Sequence, residues 1–212
     1  MNKYYLHILA LIGVLGISTA YAEEGKSKQV LIAPGVVSVE VMHNGKPVVI
    51  QRKQEKKNQI VEFYRATGRG KIQPMNPFSP HVIETIGELE LIDYIKQHSD
   101  GDDSIIIIDS RTRDWIRLSG MIPGAVSIPF TEFKSSDSTM EVMEDQFDVL
   151  VGNTYDFSNA KTLVMYCNGN WCGQSPTAIN KLLKMGYPAA KIKYYRGGMQ
   201  SWSALGLTVV EP

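Results

Sequence analysis

The segment "SIIIID", Ser104 to Asp109, constrains the fold more than any other part of the chain. Its run of β-branched residues gives an extended chain apolar side chains on both faces, which fits a strand buried within a parallel sheet. Shorter runs of the same character occur at Ala125–Ile128, Thr162–Tyr166 and Lys191–Tyr195. Helical patterns lie between them, near Met140–Val151 and Pro176–Met185. A further helix precedes Ser104: Thr85 stands three residues before Glu88, the spacing of a capping box, and Leu89, Ile92 and Ile95 share one face. For Pro176–Met185, Ser175 reads as the cap, Pro176 suits the first position and Gly186 the stop. Strands alternating with helices predict an α/β fold, an open parallel sheet with helices on both faces.

A chain of 212 residues with 43% hydrophobic content has room for one substantial core and an appendage. "VVSVEVMHNGKPVVI", Val36 to Ile50, alternates apolar residues about Asn44-Gly45, the signature of a tight hairpin, and a third β run is expected at Gln59–Tyr64. Residues 23–80 therefore read as a small β-rich N-terminal appendage ending in the connector "QPMNPFSP". Residues 81–212 read as the main domain, expected to fold without it. Residues 1–22 carry one lysine, a short apolar stretch and Ala20-Tyr21-Ala22, the pattern of a secretory signal peptide, although an uncleaved anchor has the same features. With cleavage the expected location is exported, periplasmic or secreted, with no membrane span left.

Loss of Lys3 turns 22 basic against 22 acidic groups into 21 against 22, so nothing global argues for nucleic acid. Charge is uneven: Lys46 to Lys71 is mostly basic and Asp137 to Asp156 acidic. The basic stretch reads as a solvated face or as a docking surface for a protein partner.

Cys167 and Cys172, the only two cysteines, lie in "LVMYCNGNWCGQSPTAI". In an exported protein two cysteines point first to a disulfide. Position points instead to reactivity. Cys167 directly follows a buried strand, and the next helix begins about eight residues later, where open α/β sheets bind ligands. Loop amides and the helix start favour a thiolate there, so a depressed pKa is expected for Cys167. Gly169 and Gly173 allow the amides of Asn168, Asn170, Trp171, Gln174 and Ser175 to curl round an anion.

Three segments together resemble the rhodanese-like sulfurtransferases over roughly Val82 to Val210. "IIIIDSRTRDWIRLSGMIPGAVSIPF" is similar to the family's Asp-x-Arg strand end and Gly-x-Ile-Pro-Gly-Ala run, "LVMYCNGNWCGQSPTAINKLLKMGYP" to its strand, cysteine loop and helix, and "KYYRGGMQSW" to its last strand, Gly-Gly turn and Trp-bearing helix. The resemblance implies a Cys167 thiolate that takes sulfane sulfur from a small donor such as thiosulfate, carries it as a persulfide and yields it to a thiol or other thiophilic acceptor. It implies no metal and no organic cofactor. It also implies that Asp109 and Arg111 organise the site, with a structural ion pair as the other reading.

The loop departs from the family pattern. Cys172 holds the place of an arginine five residues after the nucleophile; counted back from Ser175, Gln174 holds it. Either way a cation for the anionic donor is lost. Arg196 is one candidate to replace it. Cys172 has three open readings: it resolves the persulfide as a disulfide, protects Cys167 when oxidised, or merely packs under the loop. Two readings of the whole follow besides the sulfurtransferase: a dithiol–disulfide redox module on Cys167 and Cys172, and a non-catalytic binding module. Trp171 is expected at the site entrance and Trp202 in the core. His43, His81 and His98 are scattered, so a Cys–His pair has little support.

Overall fold

The computed structural model describes residues 29–211 apart from Thr67 and Arg69. The proposed signal peptide lies outside these residues. The first strands, β1 (Ser38–His43) and β2 (Lys46–Gln51), pair antiparallel from Ser38↔Gln51 to His43↔Lys46. Both turn residues have positive φ, Asn44 at 49° and Gly45 at 72°, which matches the twist of a two-residue hairpin. The β run expected at Gln59–Tyr64 is absent; Glu62–Arg65 form a single helical turn, α1. A strand would send Phe63 and Tyr64 to opposite faces. The turn instead brings both rings to Trp115, with centroids 5.2 and 6.3 Å away.

The chain then runs through β3 (Glu84–Ile86), α2 (Glu88–Ser99), β4 (Ile105–Asp109), α3 (Arg113–Ser119), β5 (Val126–Ser127) and α4 (Ser136–Phe147). A small antiparallel pair, β6 (Leu150–Val151) and β7 (Tyr155–Asp156), precedes β8 (Thr162–Tyr166), α5 (Gln174–Lys184), β9 (Ile192–Tyr195) and α6 (Gly198–Ala204). The main sheet has the order β3-β9-β8-β4-β5 with every pair parallel.

Several helix starts differ from expectation. Thr85 and Ile86 are extended, because β3 needs them to pair with Tyr194 and Tyr195. The α2 cap is therefore Gly87, whose amide donates to the Glu90 carboxylate at 3.0 Å. Leu91, Ile92 and Ile95 form the buried face and Leu89 is exposed. Helix α4 begins at Ser136, where the Ser135 hydroxyl accepts from the Ser138 amide at 3.0 Å. Helix α5 begins at Gln174 with Gly173 at the cap, so Ser175 lies inside the helix instead of capping it.

Side-chain alternation along the central strands divides the core in two. Ile105, Ile107, Val164, Tyr166 and Tyr195 face α2, α3 and α6, whereas Ile106, Ile108, Leu163, Met165 and Tyr194 face α4 and α5. At about 1.5–3 kcal/mol for each large side chain buried, this double face explains the continuous isoleucine run. The hairpin is not a separate appendage. Val41, Ile50 and Tyr64 belong to the first core beside Trp202, and Phe78 belongs to the second, edge-on to Tyr194 at 5.4 Å. The Lys53 amide donates to the Gly206 carbonyl at 2.8 Å, and the Gln51 amide to the Thr208 hydroxyl at 3.0 Å. The expected division at residue 80 is thus not a break in packing. Among the described residues, no helix is long and apolar enough to cross a membrane.

Candidate functional site

Strand β8, paired on both sides by β4 and β9, ends at Tyr166 and delivers Cys167 at its carboxyl end. The loop that follows is pinned by the start of α6: the Met199 amide donates to the Cys167 carbonyl at 3.0 Å, and the Gln200 amide to the Asn168 carbonyl at 2.9 Å. Only glycine fits at Gly198. Its φ is +56°, and a Cβ there would collide with the Cys167 carbonyl oxygen and lie 2.7 Å from the Gly169 amide. The loop then turns back on itself through the Cys172 amide and the Gly169 carbonyl, 2.9 Å apart.

This turn brings the two sulfurs together as free, buried thiols. Cys167 Sγ donates to the Cys172 carbonyl at 3.5 Å. The Asn168 side-chain nitrogen donates to Cys172 Sγ at 3.8 Å, and as a thiol Cys172 donates to Gln174 Oε1 at 3.7 Å. Ser175, fully buried, has a hydroxyl with no other hydrogen-bond partner, and its amide and hydroxyl both favour the Cys167 thiolate. The nearby Tyr194 hydroxyl is likewise unpartnered.

The expectation of a depressed pKa on Cys167 is corrected here. Burial pushes the Cys167 thiol well up, and the neighbouring Cys172 adds to the rise. Cys172 is brought down to about 7, first by the hydrogen bond from Cys167, then against burial by donors from Gln174 and Asn168. A pair sharing one proton keeps its charge on the sulfur with more donors, and that is Cys172.

Asp109 and Arg111 form a fully buried ion pair, Nη2 to Oδ2 at 2.6 Å, with Nε also donating to the carboxylate. Arg111 further donates to the Gly120 carbonyl, the Ser119 hydroxyl and the Tyr64 hydroxyl at 2.6, 2.6 and 3.0 Å. Its guanidinium touches neither sulfur and reaches the loop through Tyr64, which donates to Asn168 Oδ1 at 2.8 Å. Arg196 is tied to the connector, its Nε and Nη2 donating to the Gln73 carbonyl at 3.0 and 2.6 Å, a neutral partner that leaves its positive charge in place.

Trp171 lies over the loop, its indole N–H donating to Gln200 Oε1 at 2.9 Å and its ring 6.3 Å from that of Trp115. Gly68 and Gly70 press against Trp171, and the Gln73 amide donates to the Asn170 carbonyl at 2.8 Å. Cys167, Asn168, Cys172, Gln174 and Ser175 thus converge on the sulfurs, whereas Asn170 and Gly173 are exposed. The sequence reading missed Tyr64 and Gln200, which hold the loop from two sides. The one signal for Tyr64 was the aromatic pair Phe63-Tyr64 in a polar stretch. A cleft of about 520 Å³ between Gln51–Glu55, Gln59–Val61 and the 203–209 segment is lined by no residue of the cysteine loop.

A family model described as Rhodanese-like domain matches residues 91–205, more than half of the chain, and the chain belongs to that family. Among solved structures it is similar to the BH2092 protein of Bacillus halodurans, at 22% identity over 57% of this chain and 72% of that one, with a TM-score of 0.40. A protein from Rhodopseudomonas palustris described as a possible tyrosine phosphatase gives 22% identity over 60% and 84%, with a TM-score of 0.42. The 3-mercaptopyruvate sulfotransferase SseA of Escherichia coli gives 18% over 54% and 42%, with a TM-score of 0.38. Comparison with curated proteins gives no match.

Proposed function

We propose that the protein is an exported sulfurtransferase that carries sulfane sulfur as a persulfide on Cys167. The supporting observation is the position of Cys167 Sγ, just past the end of a central strand, with the Ser175 amide and hydroxyl and Cys172 as its neighbours. As a donor such as thiosulfate arrives, the Cys167 proton passes to the Cys172 thiolate, whose pKa near 7 suits a base at neutral pH. The Cys167 thiolate attacks the outer sulfur, the S–S bond of the donor breaks, and sulfite leaves with the bonding pair. A thiophilic acceptor then takes the outer sulfur, and Cys167 returns as thiolate.

The juxtaposed thiols favour a second reading, in which Cys167 and Cys172 cycle between dithiol and disulfide. Intact-mass measurement separates the two. After thiosulfate or polysulfide, the wild type is expected to gain one sulfur, Cys172→Ser to gain it more slowly because the base is lost, and Cys167→Ser to gain none. Loss of two hydrogens on mild oxidation, with no sulfur gain in either, supports the redox reading; no change at all leaves a binding module. Export is tested separately by N-terminal sequencing of secreted material, expected to begin at Glu23, with an intact Met1 marking an anchor.

A further inference from the structure

We propose that Tyr64 is a positioning residue of the cysteine loop, turning the Asn168 amide so that its nitrogen, not its oxygen, faces Cys172. Tyr64 lies outside residues 91–205, the stretch matched by the family model, and reaches the loop from α1. A guanidinium has donors only, so the Tyr64 oxygen accepts from Arg111 Nη1 at 3.0 Å. The Ser119 hydroxyl, 3.2 Å from Tyr64, accepts from Arg111 at 2.6 Å and spends its own proton on the Trp115 carbonyl at 2.8 Å. The Tyr64 proton is left for Asn168 Oδ1, 2.8 Å away. With Oδ1 held there, Nδ2 must point to the other side, where Cys172 Sγ lies at 3.8 Å.

The relay has one direction because its first member cannot accept. Asp109 fixes that member by binding the remaining guanidinium edge. Tyr64, Arg111 and Asn168 are each at most 2% exposed, so water does not compete for these donors. The charge environment of Cys172 consists of Cys167 beside it, Tyr194 on β9 with Arg196 acting on Tyr194, and Tyr64 with the neutralised Asp109–Arg111 pair behind Asn168. The lowered pKa of Cys172 agrees with a donor held in this way.

The inference deepens the sulfur-transfer reading, in which Cys172 takes the proton of Cys167, but its test needs no sulfur donor. Iodoacetamide labelling of Cys172, followed by peptide mass mapping across pH, has an expected midpoint near 7 in the wild type. Tyr64→Phe keeps the ring against Phe63 and Trp115 and is expected to move the midpoint up by about one pH unit. Asn168→Asp, which can accept but not donate, moves it further. In an Asn168→Ala background Tyr64→Phe adds nothing. An unmoved midpoint in Tyr64→Phe overturns the inference, as does an equal shift with and without Asn168; a merely structural role would lower the melting temperature and leave the midpoint in place. If the midpoint shifts as expected while no variant gains sulfur, the sulfurtransferase reading fails and the positioning role stands.

Discussion

Cys167 and Cys172 differ in what surrounds them more than in what they are. Cys167 has the strand end, full burial and Ser175; Cys172 has more donors, and with them the lower pKa. Labelling of the wild type at pH 7 is therefore expected to modify Cys172 before Cys167. The Cys172 rate should fall about tenfold for each pH unit below 7 and level off above it, since only thiolate reacts. Ser175→Ala removes a hydroxyl that has no other partner. Sulfur uptake at pH 7 is expected to slow by about tenfold with the melting temperature unchanged, a split that a packing role would not produce. Arg111→Met is expected to act on stability, by about 3–5 kcal/mol in chemical denaturation, because it strands the Asp109 carboxylate in the core. The places of Asp109 at the end of β4 and of Cys167 just after β8 were legible from the apolar runs before them. Which sulfur has the lower pKa was not, because a loop turn sets it and the four intervening residues do not reveal which donors converge.

Elements long enough to show a period were read well, and short ones were not. The apolar runs at β4 and β8 were placed within a residue because burial on both faces leaves few other conformations for such sequences. Helix α1, one turn long, has no period to detect, and the Thr85 capping box competed with strand pairing that only tertiary structure supplies. The stretch after α1 lies against the cysteine loop. Gly68 and Gly70 lie on Trp171, and a Cβ on Gly68 would sit 2.6 Å from its ring. On Gly70 it would run into the Trp171 carbonyl oxygen, which is backbone and cannot yield. Gly70→Ala is thus expected to lift this strap from the loop and speed Cys172 labelling several-fold at every pH, leaving the midpoint where it was. Tyr64→Phe predicts the reverse pattern, a moved midpoint. Unchanged rates in Gly70→Ala would mean that reagents reach Cys172 without passing the strap.

Across the whole molecule, the N-terminal segment completes both cores and holds the site. Alternation along Val36–Ile50 predicted the hairpin correctly but said nothing of what its apolar face covers, since a free-standing hairpin and one seated on a domain have the same pattern. The structure seats it beside α2, where the Met42 amide donates to the Ser99 hydroxyl at 2.8 Å. Removing everything before residue 81 would uncover the partners of Val41, Ile50, Tyr64 and Phe78, each almost wholly buried. At about 1.5–3 kcal/mol apiece, four such side chains represent about 6–12 kcal/mol, comparable to the roughly 5–15 kcal/mol that holds a domain folded. The same cut removes the Tyr64 hydroxyl from Arg111 and the Gln73 carbonyl from Arg196. Residues 81–212 alone are therefore expected to lack a cooperative urea transition and to expose apolar surface to a hydrophobic dye, whereas residues 29–212 unfold in one step. A sharp transition in the shorter chain at the midpoint of the longer one would show that the hairpin only rests on the sheet, and would return residues 23–80 to the status of an appendage.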